Sequence, residues 1–270
     1  MTKKNFFWLV SVLCITLWCQ ESLSAKDDAR TIRNKLFKYQ VLNKKHDAIY
    51  HDILQKINLG KDKKIPGIAL CSIKRTDSNS KNDREMFIKA VAAVLGYVNK
   101  IIMEHRACVL TVHKKNKEKV KLTEQEEQTF SMICSFYQSK DIDVLLKRVA
   151  PVPISLAVAQ ASLESGFGSS PVMHKNNAFF GMMLDKTRLL PFDTLFESAI
   201  AYAKTLNVHS HYKAFRESRD KMLCRSQVID GAKLSETIEK YCEKKAYKSR
   251  LLKLMKEYNL MSLDRAYTAA

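Results

Sequence analysis

Glycine and proline are scarce in this chain of 270 residues, with 7 and 5 copies. So few turn-formers exclude a turn-rich all-β fold, and long stretches without either residue favour helix. Seven cysteines are present, but none forms a C-x-x-C pair. Neither a zinc site nor a disulfide framework is therefore signalled. The seven histidines lack metal-ligand spacing: His209 and His211 are two apart, and His46 and His51 are five apart on a polar segment. No metal and no cofactor are expected. Acidic residues are also few, with 28 Asp and Glu against 46 Lys and Arg, giving +18. That excess implies an anionic neighbourhood: nucleic acid, acidic lipid or an acidic wall polymer. A hydrophobic content of 46% excludes a disordered chain.

The N-terminus narrows those choices. Lys3 and Lys4 precede the apolar run Phe6–Cys19, and Ser22-Leu-Ser-Ala25 offers small residues for cleavage. The run has 14 residues, and a membrane span needs about 18. Residues 1–25 are expected to be a secretory signal, with an uncleaved anchor as the alternative. Leu13 and Trp18 precede Cys14 and Cys19 where a lipoprotein signal wants a small residue, so lipidation is not expected. Removing the segment, with two lysines and one glutamate, takes the charge from +18 to +17 and the cysteines from 7 to 5. A periplasmic or secreted location argues against nucleic acid as the partner and against membrane insertion once the signal is gone. Cys71, Cys108 and Cys134 sit among apolar residues and read as buried thiols, and Cys224 and Cys242 are candidates for pairing.

Three regions follow: the signal over 1–25, a basic helical arm or linker over 26–64, and a globular domain over 65–265. The arm carries a narrow apolar stripe from Ile32 to Ile57, and residues 60–82 read as loop. Apolar residues at helical spacing predict a helix over Asp83–Val112. The run His113–Lys121, five lysines in nine residues, reads as a solvated basic loop. Thr123-x-x-Glu126 opens a helix to about Tyr137. A short helix covers Asp141–Val149, and Pro153 suits the first turn of the next. Further helices are predicted at Ser170-Pro171, from Asp193 or Thr194 to Leu206, and over His211–Met222, Leu234–Glu243 and Tyr247–Tyr258. Met182–Leu184 and Leu189–Phe192 form the single strand candidate, a short hairpin around Asp185.

The helix Ile154–Glu164 carries the main chemical signal. It is apolar around most of its circumference and belongs in a core. It ends in Glu164-Ser-Gly-Phe-Gly168, where Gly166 suits a left-handed cap. A carboxyl at the end of a buried helix is a candidate general acid, because desolvation raises its pKa toward neutrality. The plainer alternative is a surface glutamate beside a helix cap.

Taken together, several stretches resemble the Bax-type branch of the bacterial glucosaminidases, glycoside hydrolase family 73. They are Pro153–Gly168, Asn177-Ala-Phe-Phe-Gly181, Phe192–Ser198, Tyr202, Leu206-Asn207, Tyr212 through Arg219, and the tail Tyr241–Asp264. The resemblance covers roughly 65–265. It implies a mainly α, lysozyme-like fold with at most a short hairpin, cutting the N-acetylglucosaminyl bond of peptidoglycan glycan strands with Glu164 as acid. The substrate-binding candidates are Gln160, one turn before Glu164 on the same face, with Asn177, Phe180, Tyr202 and Tyr212; Gln160 reads equally well as a satisfied core amide, and Tyr202 and Tyr212 have a core-packing alternative. The chain departs from the family pattern where Ala178 replaces the second Asn of an Asn-Asn-Leu-Phe-Gly motif. The segment after Gly181 is also short, which leaves only Asp185 and Glu197 as candidates for a second carboxylate. A lytic transglycosylase or muramidase, and a glycan-binding protein without turnover, stand as alternatives. Oligomeric state is not encoded in any motif found.

Overall fold

The computed structural model describes residues 80–266 apart from 186, 226 and 239–244. The expected signal and basic arm, Cys71 and Cys242 lie outside those residues. Ten α-helices and two short 3-10 turns make up the described part, and it is mainly α as the sequence predicted, consistent with a lysozyme-like fold.

Helix α1 (Lys81–Lys117) begins at Ser80, whose hydroxyl accepts from the Asp83 N–H while Asp83 accepts from the Ser80 N–H. Its buried stripe runs from Phe87 through Val91, Leu95, Val98 and Ile102 to Val112. It is the one described helix long and apolar enough to cross a membrane, and 67% of that apolar window is buried within the fold. The lysine-rich run over 113–121 is a correction to the sequence reading, because the helix continues through Lys117 before turning. Lysine is a good helix former, and Lys114, Lys115 and Lys117 lie in the last turn, where the helix dipole favours cations. Lys115 also reaches Glu126 at 2.7 Å.

Helix α2 (Glu124–Tyr137) opens with the predicted Thr123–Glu126 capping box. Helix α3 (Ile142–Arg148) is capped by Asp141, which accepts from the N–H groups of Asp143 and Val144. Pro153 then stands one position before α4 (Ile154–Ser165), as its N-cap. Eleven of the twelve α4 residues are buried, and the helix packs against α1 and the C-terminal helices. It is the central element.

The remaining helices are α5 (Pro171–Lys175), α6 (Leu195–Val208), α7 (Lys213–Cys224), α8 (Gly231–Leu234), α9 (Lys245–Glu257) and α10 (Met261–Ala266). The 3-10 turns are Ser210–Tyr212 and Ser235–Thr237. The helix expected over Leu234–Glu243 is corrected. The α-helical turn starts earlier, where Asp230 accepts from the Lys233 N–H, and gives way to a 3-10 turn by Ser235. Residues 239–243 of that expectation lie outside the described part. The hairpin shrinks to one antiparallel bridge, Met183 with Leu189. Cys108, Cys134 and Cys224 are free thiols.

The entry to α4 is tightly fastened. Arg219, fully buried, donates to the carbonyls of Lys147, Ala150 and Pro151 and to Asn207 Oδ1. Asn99 donates to the Val152 carbonyl at 2.8 Å and accepts from its N–H at 2.9 Å. Asp264 accepts from the Ser155 N–H and hydroxyl at 2.9 and 2.6 Å, and from the Gly231 N–H at 3.0 Å. Buried polar groups without partners are costly, so these bonds hold one backbone path into α4.

Candidate active site

Glu164 lies in the last turn of α4 and is 6% exposed. Gly166 ends the helix in the left-handed region at φ 59°, which glycine adopts without a Cβ penalty. Phe167 follows at φ 57°, unusual for a bulky residue. Its ring packs on Phe87 at 6.3 Å and Tyr258 at 5.5 Å, with the Arg84 guanidinium above it at 5.1 Å. Those contacts hold the strained turn, and the chain leaves α4 directly after the carboxyl.

Burial pushes the Glu164 carboxyl up to about 7, opposed by a hydrogen bond from Tyr247 and by the positive charge of Arg250. Near neutral pH it therefore holds a proton about half the time. Tyr247 O–H donates to Glu164 Oε1 at 2.9 Å. Gln160 Nε2 donates to the Tyr247 oxygen at 3.4 Å, and Tyr202 O–H donates to Gln160 Oε1 at 2.7 Å. All donors in this chain point one way, toward Glu164. With Oε1 occupied as an acceptor, the carboxyl proton belongs on Oε2.

Gly181 faces that oxygen. A Cβ on residue 181 would lie 3.0 Å from Glu164 Oε2, and the backbone there is left-handed at φ 65°. Only glycine leaves the proton-bearing oxygen clear without strain. Phe180, buried beside it, stacks on the Tyr202 ring at 4.4 Å.

The structure thus brings Glu164, Gln160, Tyr202 and Phe180 into one cluster. Asn177 lies at the base of the short hairpin, half-buried, donating to the carbonyls of Phe192 and Asp193 at 3.1 and 3.0 Å. Tyr212 is buried in the 3-10 turn between α6 and α7. Asp185 is tied within its own turn, accepting from the Thr187 and Arg188 N–H groups and pairing with Arg188 Nε at 2.6 Å. Those bonds hold its carboxyl well below the usual carboxylate range. Glu197 lies in the first turn of α6 and accepts from the Asp193 N–H at 2.9 Å, while Thr194 is the N-cap. Among the described residues, no group of three or more His, Cys, Asp or Glu side chains is placed to hold a metal ion.

Tyr247 is the site residue that sequence reasoning missed. It reads as one aromatic at the start of an amphipathic helix, and its partner lies 83 positions away. No local pattern carries such a contact.

Residues 141–260 match the family described as mannosyl-glycoprotein endo-beta-N-acetylglucosaminidase. The chain is also similar to protein bax of Escherichia coli (strain K12), with 30% identity over 126 residues. That match covers 43% of this chain and 46% of the bax protein, so it spans less than half of either. No solved structure matches the chain. Glu164, Gln160, Gly181, Tyr202 and Tyr247 all fall within 141–260. Over that segment the chain is similar to the glucosaminidase family and to protein bax.

Proposed function

We propose that the chain is an exported peptidoglycan hydrolase that cuts the N-acetylglucosaminyl bond, with Glu164 as general acid. The observation that carries this reading is the state of Glu164: buried, raised to about 7, and fixed through Oε1 by Tyr247. A carboxyl so held keeps a proton near neutrality on Oε2, the oxygen that a side chain at residue 181 would crowd and glycine does not. It protonates the leaving glycosidic oxygen as the bond to the anomeric carbon breaks. Gln160 and Tyr202 hold Tyr247 in the donor orientation that this step needs.

Asp185 and Glu197 are each engaged in local turn and cap geometry, so neither is assigned the second carboxylate role. Stabilisation of the oxocarbenium-like centre then falls to the substrate's own N-acetyl oxygen, the substrate-assisted route. Export to the periplasm or medium through residues 1–25 places the chain with its substrate. Its positive charge suits a wall rich in free carboxylates.

Digestion of purified peptidoglycan followed by mass spectrometry of the products tests the proposal. A reducing N-acetylglucosamine end is the expected product. A reducing N-acetylmuramic end would make the chain a muramidase, and an anhydro-muramic end a lytic transglycosylase. Binding to the wall with no product would leave a glycan-binding protein.

A further inference from the structure

One cation whose charge acts on the Glu164 carboxyl takes no part in the proposed proton transfer. Arg250 is exposed on α9 and forms no ion pair among the described residues, whereas Lys248 pairs with Glu236 at 3.2 Å. It follows Tyr247 by three positions. At about 100° per residue the two side chains leave the helix about 60° apart, on one face. Lys253 and Lys256 are turned about 120° and 180° from Tyr247 on the same reckoning. Tyr247 points inward to the Glu164 carboxyl, and Arg250, one turn further along, is exposed to solvent. Its charge is felt at that carboxyl. An unpaired guanidinium beside a proton donor is a ready partner for a carboxylate, which it can grip through two parallel N–H bonds.

We propose that Arg250 binds a free carboxylate on the sugar that leaves, so that the chain prefers glycan strands whose muramic lactyl groups carry no peptide. This rests on the reading of the site as a glucosaminidase. In that bond the leaving oxygen is O4 of the muramic unit, and the lactyl ether sits on the adjacent O3. A group that protonates O4 therefore has the lactyl carboxyl as its close neighbour on the substrate. With a stem peptide attached, that carboxyl is a neutral amide. Once the amide is hydrolysed, it is an anion suited to Arg250. The preferred substrate is thus the product of an amide hydrolysis at the lactyl group.

The test uses the full chain and two probes: peptide-free glycan strands, and the same strands with lactyl carboxyls converted to methylamides. Binding is measured by calorimetry with Glu164→Gln as the background, so that affinity is read without turnover. The free-carboxylate strands should bind about fivefold more tightly, the scale of a solvent-accessible charge pair. Arg250→Gln on that background should abolish the difference, Arg250→Lys should keep part of it, and Lys253→Gln should keep it whole. Equal binding of the two probes, or a preference that survives Arg250→Gln in a protein of unchanged melting temperature, overturns the inference. Cleavage of both probes by the unsubstituted chain is scored separately. If neither is cut, the glucosaminidase reading fails while the binding comparison still decides the role of Arg250.

Discussion

Two buried carboxyls stand at opposite ends of α4, and they are held in opposite ways. Asp264 meets the N-terminal end, where it receives two N–H groups and a hydroxyl. Glu164 belongs to the C-terminal end, where the helix offers carbonyls rather than donors, and it accepts from the Tyr247 hydroxyl. Burial raises both groups, but three bonds pull Asp264 back, whereas Glu164 reaches about 7. A carboxyl surrounded by donors at a helix N-terminus is a clasp. One buried at the other end and short of donors is held in readiness for proton transfer.

The largest expected effect comes from removing the under-supplied member of the pair. Glu164→Gln keeps the shape but not the transferable proton, and wall-degrading activity should fall about 10²–10⁴-fold. Stability should respond in the other direction. Glu164 has a folded pKa raised from 4.5 to about 7, so its contribution is complete below 4.5 and is lost as pH rises through 7. Above that pH the wild type bears a cost of up to about 3 kcal/mol that the Gln variant lacks. Melting curves at pH 5 and 8 should show the wild type losing more stability than the variant. Full activity in a folded Glu164→Gln protein would remove the general acid from the mechanism.

Breaking the clasp should give the reverse pattern. Asp264→Ala leaves the Ser155 and Gly231 donors buried without an acceptor, at a cost of about 3–5 kcal/mol. For a domain of this size that lowers the melting temperature by roughly 10 °C. Where the variant remains folded, kcat should stay within about threefold of wild type, because Asp264 touches the far end of the helix. A specific loss of kcat without loss of stability would contradict the contrast.

A smaller change sharpens the chemistry. Tyr247→Phe removes the hydrogen bond that pulls the Glu164 pKa down, so that pKa should rise further. The alkaline limb of the kcat profile should move to higher pH, with activity down about tenfold as the acid loses its orientation. An unmoved limb would show that Tyr247 does not act on the proton donor. The smallest effect is expected at Asp185, which is bound up in its own exposed turn. Asp185→Asn should change activity by less than about twofold. A loss as large as that of Glu164→Gln would make Asp185 the missing second carboxylate.

Much of this was legible in local pattern. The Thr123–Glu126 capping box and the stripe of α1 are written in neighbouring residues, and both form as read. The end of α1 departs from the solvated basic loop expected over His113–Lys121, because lysine favours helix and suits its C-terminal turn. The helix expected to start at Leu234 instead starts at Gly231 and becomes a 3-10 turn at Ser235, because helical spacing does not reveal where a cap such as Asp230 starts the turn.

The sequence by itself determined that the chain is mainly helical, that an apolar helix runs through its core, and that this helix ends in Glu164 beside Gly166. Those features depend on side-chain spacing over one or a few turns. Only the tertiary structure decided what kind of carboxyl Glu164 is. Its hydroxyl donor, the glycine packed at its other oxygen and the amide that backs the donor are Tyr247, Gly181 and Gln160. A pKa is set by groups within a few ångströms of the carboxyl. Tyr247 is 83 residues from Glu164 along the chain and one hydrogen bond from it in space.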